Sequence, residues 1–176
     1  MTKIINLYGG PGTGKSTTAA GLFHLMKLEG YEVEIVTEFA KDLTWSERHV
    51  ELQDQVFVLG EQHHRVYNLM DKVDFIITDS PILLSSVYAK FGSNQRVNVC
   101  IDSLAKALYM KYCNFDIMLN RVKKYNPNGR NQTQEQAEDL DKMILSKLEE
   151  VSTGIFKVDA DQYAPSDILD FIKGII

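Results

Sequence analysis

The sequence predicts one three-layer α/β domain over residues 1–176, a parallel sheet flanked by helices. Two observations carry this. Short apolar runs alternate with helical patterns: a strand over 3–8, a helix over 15–29 and a strand over 31–37. Strand, helix, strand in that order requires crossovers, and crossovers make neighbouring strands parallel. The second observation is a glycine-rich turn, Gly9-Gly10-Pro11-Gly12-Thr13-Gly14, placed between the first strand and the first helix.

The first strand, K-I-I-N-L-Y over 3–8, is a short apolar run that reads as buried. The first helix has apolar or small residues at 19, 22, 23, 25, 26 and 28, and Gly30 is placed to stop it. The second strand alternates and is β-branched. A short helical piece follows over 38–43. Residues 49–70 read as one long helix, with Val50, Leu52, Val56, Leu59, Val66 and Leu69 near a 3.6-residue period. Residues 73–78 form the third strand, and 83–90 a short helix. Residues 92–97 read as a loop and 99–111 as a helix. The fourth strand covers 115–119. A polar loop covers 121–131, and an amphipathic helix covers 133–150, opened by a capping box of Thr133 and Gln136. The fifth strand is 155–159. Ser166 is expected to cap the last helix, which ends near Lys173.

Composition narrows the function. Hydrophobic residues make up 44% and charged residues 24%, the balance of a globular protein. The net charge of −5 lacks the basic footprint of a nucleic-acid binder. Cys100 and Cys113 have no metal-ligand spacing and are expected to be reduced, buried core residues. No apolar run is long enough to span a bilayer, and the first residues enter a strand without a signal-peptide pattern. The expected location is cytoplasmic, with no membrane partner.

Gly9 to Ser16 fits G-x-x-x-x-G-K-[ST] at every required position. Glycines let the backbone curl so that several N–H groups converge on phosphate oxygens. The following helix adds its positive end. Gly10, Gly12, Thr13, Gly14, Lys15, Ser16 and Thr17 are therefore expected to bind a nucleoside triphosphate. Lys15 reaches the β- and γ-phosphates, and the Ser16 hydroxyl holds magnesium.

Ligands of open parallel sheets sit beyond the carboxyl ends of the strands. Asp79 ends the third strand and is expected to hold magnesium with Ser16; an N-cap is the competing reading. Glu38 ends the second strand and is expected to take a proton from an acceptor hydroxyl; a helix-start carboxylate competes. Asp42 is a weaker candidate of the same kind. Gln55, Gln62 and Arg65 share one face of the long helix and are expected to frame an acceptor pocket, a solvated polar row being the alternative. Trp45 suits either base stacking or rim packing. His63 and His64 lack metal spacing. Four cations fall within 121–131, and Arg121 and Arg130 are expected to act from this loop as a lid over phosphates.

Five stretches carry a resemblance: G-G-P-G-T-G-K-S-T at 9–17, T-E-F-A-K-D at 37–42, Q-x-x-R at 62–65, V-D-F-I-I-T-D-S-P at 73–81 and Y-N-P-N-G-R-N-Q-T at 125–133. With these the chain resembles the P-loop nucleoside and nucleotide kinase superfamily. It is most similar to small AAA-like ATPase/kinases often found in phage genomes, related to the ribosylnicotinamide kinase domain. The resemblance implies a sheet in the order 2-3-1-4-5, ATP with magnesium, a small nucleoside or nucleotide acceptor, and room for a homodimer. It implies that Glu38 contacts the acceptor hydroxyl and that Gln62 stands where such enzymes read the base. Asp79 is followed by Ser80-Pro81, where deoxynucleoside and thymidylate kinases usually carry an arginine. The acceptor class therefore stays open. A polynucleotide or DNA-base kinase and a nucleotide-dependent ATPase switch with a protein partner are the alternatives.

Overall fold

The computed structural model describes residues 1–92, 94–122, 126 and 133–176. Its five strands are β1 (Lys3–Tyr8), β2 (Val33–Val36), β3 (Phe75–Thr78), β4 (Cys113–Asn120) and β5 (Ile155–Asp159). They form one parallel sheet in the order β2-β3-β1-β4-β5, as the resemblance implied. The helices are α1 (Lys15–Leu28), α2 (Phe39–Trp45), α3 (His49–Gln53), α4 (Gln55–Tyr67), α5 (Leu84–Tyr88), α6 (Gln95–Met110), α7 (Gln134–Glu149) and α8 (Ala164–Lys173).

Successive side chains of β1 serve opposite faces of the sheet, the period-two rule of a strand. Ile5 and Leu7 pack into a layer with Leu22 and Met26 of α1 and Ile168 and Ile172 of α8. Ile4 joins Leu59 and Val66 of α4 and Ile101 and Ala105 of α6. Tyr8 joins Leu140, Ile144 and Leu148 of α7. Each aliphatic side chain so buried contributes about 1.5–3 kcal/mol by leaving water. Both faces are covered, which explains why β1 reads as a mostly apolar run rather than an alternating one.

Several polar side chains are buried as well, Asn6 and Asp116 among them. Asp116 is buried and accepts from Asn6 Nδ2 (3.1 Å), Tyr109 Oη (2.5 Å) and Ser152 Oγ (2.6 Å). Burial, then Asp116, pushes the Tyr109 phenol well up from its ordinary value. The carboxylate thus ties β1, β4 and the ends of α6 and α7, and its hydrogen bonds offset the cost of burying its charge.

Several boundaries depart from expectation. The long helix over 49–70 is two helices, because Asp54 stops α3 and its carboxylate caps α4 at Val56 and Phe57 N–H. An asparagine does the same for α6: Asn94 accepts from Arg96 and Val97 N–H, so residues expected as loop are helical. Ser166 does not cap α8. That helix begins at Ala164, with Asp161 accepting from Tyr163 and Ala164 N–H, and the Ser166 hydroxyl donates to Tyr163 O. The Thr133–Gln136 capping box on α7 is present. Cys100 is exposed and Cys113 half-buried, so the expectation that both are core residues does not hold. Among the described residues no helix is long and apolar enough to cross a membrane.

Candidate active site

β1 ends at Tyr8 and α1 starts at Lys15, so the glycine-rich turn lies at the carboxyl edge of the sheet. Gly12 and Gly14 take φ of 78° and 118°, a region that side-chain-bearing residues rarely enter. Lys15 folds back over the turn and donates through Nζ to Gly9 O (2.6 Å) and Gly10 O (3.2 Å). Burial lowers its pKa from the ordinary ammonium value; the carboxylates of Glu38, Asp79 and Asp141 oppose that shift, and Arg121 adds to it. Thr13 is buried and its hydroxyl donates to Gly10 O (2.6 Å), which closes the turn on itself.

β3 lies beside β1, with Asn6 level with Thr78, so the next residue on β3 reaches the start of α1. That residue is Asp79. Its Oδ2 accepts from Ser16 Oγ at 2.5 Å. Its Oδ1 is buried and has no hydrogen-bond partner among the described residues. A buried carboxylate oxygen without a donor is costly unless something cationic or protic meets it. A serine hydroxyl beside such an oxygen fits the oxygen-rich, partly hydrated shell that magnesium prefers. Ser16 and Asp79 are the residues that would hold the ion. Asp79→Asn should raise the magnesium concentration needed for half-maximal turnover by about tenfold, given what loss of one carboxylate ligand costs. A magnesium titration unchanged from wild type would remove Asp79 from the metal shell.

Glu38 stands between β2 and α2, where the chain leaves the sheet edge. Gln62 of α4 is buried and grips the residues on either side of it. Its Oε1 accepts from Phe39 N–H (2.9 Å), and its Nε2 donates to Thr37 O (3.3 Å). Burial raises the Glu38 carboxyl from its ordinary value; Lys15 pulls the other way, while Asp79 adds to the rise. Glu38, Lys15, Ser16, Trp45, Gln55 and Tyr88 line one cleft of about 460 Å³. Tyr88, the last residue of α5, has its phenol pushed well up, by burial first and then by Glu38 and Asp141.

A turn shaped for phosphate, a hydroxyl–carboxylate pair beside it and a second carboxylate across the cleft thus share one sheet edge. A family model described as an AAA domain matches residues 4–164. The chain belongs to this AAA-domain family. No curated protein matches the sequence. Among solved structures, the AAA-domain chain is similar to deoxyadenosine kinase from M. mycoides with products dCMP and a flexible dCDP bound. That match has a TM-score of 0.64 and 20% identity, over 98% of this chain and 100% of the other. The same kinase with dATP bound matches at TM-score 0.63 and 19% identity, over 98% of each chain. NadR protein in complex with NR matches at TM-score 0.76 and 12% identity, over 99% of this chain and 52% of the other. At these identities the likeness is one of fold, that of a P-loop NTPase.

Not every residue singled out in the sequence of this AAA-domain chain faces the cleft. Gly12, Gly14, Lys15, Ser16 and Thr17 line it, as do Glu38, Gln55 and Gln62. The amide of Gln55 donates to Leu52 O (3.0 Å). Arg65, expected to frame the acceptor, does not line it. Its guanidinium pairs with Asp42 (2.7 Å) and Glu61 (3.7 Å) and lies over the Phe39 ring. Helix α2 packs against α4 and supplies the Asp42 carboxylate that takes the guanidinium. Asp42 is correspondingly occupied. Arg121 lies against the turn, donating through Nη1 to Pro11 O (2.9 Å) and pairing with Asp141 (2.9 Å). Arg130, and most of the loop expected as a lid, lies outside the described residues. His63 meets the Tyr112 hydroxyl (2.9 Å), and among the described residues no three or more His, Cys, Asp or Glu gather around a metal-sized site.

Tyr88 and Asp141 are among the site residues that no sequence pattern marks. Tyr88 ends a five-residue helix, L-S-S-V-Y, and carries no motif. Asp141 is one of several carboxylates on α7, and only the fold shows that it reaches Gly10.

Proposed function

We propose that the chain is an ATP-dependent kinase that passes the terminal phosphate, held with magnesium, to a hydroxyl of a nucleoside. One observation carries this reading: Glu38 shares the cleft with Lys15 and Ser16, and burial keeps its carboxyl basic. The turn amides and Lys15 would bind the triphosphate. Magnesium at Ser16 and Asp79 would neutralise charge on the phosphate oxygens. Glu38 would accept the proton as the acceptor oxygen bonds to the γ-phosphorus and the bond to the β–γ bridging oxygen breaks; ADP leaves.

The acceptor side favours a neutral nucleoside over a monophosphate. Trp45, Leu52, Val58 and Leu84 offer apolar and aromatic surface suited to a base. Arg65 is held away by Asp42 and Glu61, which leaves Lys41 as the acceptor-side cation among the described lining residues. A polynucleotide acceptor fits poorly with a net charge of −5, since strand binding draws on many cationic contacts.

The test is a screen of nucleosides and nucleoside monophosphates with labelled ATP. At least one nucleoside should become labelled, ahead of its own monophosphate. Trp45 is the sole tryptophan and is 68% exposed at the cleft rim. Its fluorescence should therefore change as that nucleoside binds. Binding of ATP with no labelled acceptor would end the kinase reading.

A further inference from the structure

We propose that Asp141 is a positioning residue for the nucleotide, acting with Arg121 as a charge-neutral clamp on the outer limb of the phosphate-binding turn. This rests on the reading of that turn as a nucleotide site. It does not depend on the acceptor.

The geometry is specific. Asp141 Oδ1 accepts the Gly10 N–H at 2.5 Å. Its Oδ2 accepts from both Arg121 Nε (3.0 Å) and Nη2 (2.9 Å), so two charge-assisted bonds converge on one oxygen. The same guanidinium donates through Nη1 to Pro11 O (2.9 Å) and through Nη2 to the Thr13 hydroxyl (3.2 Å). One ion pair therefore holds the turn at Gly10, Pro11 and Thr13. The pair is little exposed, 11% and 20% by side chain. Helix α7 comes close enough that a side chain at Gly10 would meet Ala137 O at 2.6 Å and Asp141 Oδ1 at 2.8 Å.

Charge explains why the two residues must act together. A lone carboxylate on a turn that receives polyphosphate would repel it, and partial burial leaves little water to screen the repulsion. Arg121 cancels that charge where it stands. It also draws Asp141 into the orientation that receives the Gly10 N–H, so the turn keeps its curl. Removing Arg121 alone leaves the repelling carboxylate in place. Removing both charges leaves a slack but neutral limb.

The experiment is calorimetric titration of Mg·ATP, without acceptor, into wild type, Asp141→Asn, Asp141→Ala, Arg121→Met and the double variant Arg121→Met/Asp141→Asn. Circular dichroism confirms that each is folded, and Asp141→Asn serves should the alanine variant not fold. Asparagine keeps an oxygen for Gly10, so Asp141→Asn should bind within about threefold of wild type, and Asp141→Ala about tenfold weaker. Arg121→Met should weaken binding about 30-fold, and the double variant should recover to within about fivefold of wild type. Equal weakness in Arg121→Met and the double variant would mean that Arg121 acts on the nucleotide directly, and would overturn the proposal. So would an alanine variant that binds as tightly as wild type. A wild type that binds no Mg·ATP would show in the first titration and would sink both readings. A chain that binds Mg·ATP and phosphorylates nothing would sink only the kinase.

Discussion

Lys15→Met should abolish phosphate transfer, by on the order of 10³-fold or more, and leave the fold as stable as wild type. The ammonium is the cation that the turn itself brings to the phosphates, and nothing else on the turn replaces it. Its contribution to the fold is small. Burial lowers the Lys15 pKa, so the folded protein holds the charged form less well than the unfolded chain does. With a folded pKa below the unfolded one, the charge costs stability at neutral pH, and that cost disappears above the unfolded pKa. Methionine keeps the stem and loses the two bonds to Gly9 O and Gly10 O. Labelled-ATP transfer and thermal melting of the two proteins at pH 7 decide it. Transfer within tenfold of wild type would contradict the role given to Lys15.

Glu38→Gln should lower kcat by about 10²–10⁴-fold while Mg·ATP binds nearly as before, the range expected for loss of a positioned proton acceptor. Wild type should also show an acid limb in kcat/KM lying above the ordinary glutamate value of about 4.3, because burial raises this carboxyl. The stability consequence has a definite sign. A carboxyl whose folded pKa is raised contributes stability below its unfolded pKa and loses it as pH rises through the folded one. Ionised Glu38 therefore costs stability at neutral pH. The glutamine variant should melt higher than wild type at pH 7, and the gap should close in acid. An acid limb at the ordinary value together with an unchanged kcat would remove Glu38 from the chemistry.

Much of this site was legible before the fold was known, for a physical reason. A phosphate turn needs backbone curvature, and curvature needs glycine at set positions, so residues 9–16 announce themselves. Strand ends are legible too: an apolar run that stops at an acid places that acid at the sheet edge, as with Asp79 and Glu38. What depends on packing between elements was not. Arg65 has the spacing of a cleft residue, yet Asp42 on a neighbouring helix captures it. Asp141 lies 131 residues from Gly10 along the chain, and no local pattern marks their meeting. The break at Asp54 shows the same limit on a smaller scale. The apolar period ran past it, and only the capping bonds to Val56 and Phe57 end one helix and begin the next.

Gln62 has a consequence for how this domain tolerates change. β2 is an outermost strand with a single neighbour, so nothing on its far side resists slippage. A slip of one residue would present Thr37 or Phe39 where Glu38 now stands. The amide of Gln62 binds the Thr37 carbonyl and the Phe39 N–H, so α4 holds the chain on both sides of Glu38. Helix α4 thereby anchors the acid just past the end of β2, while Val33 and Val36 seat the strand itself in the core.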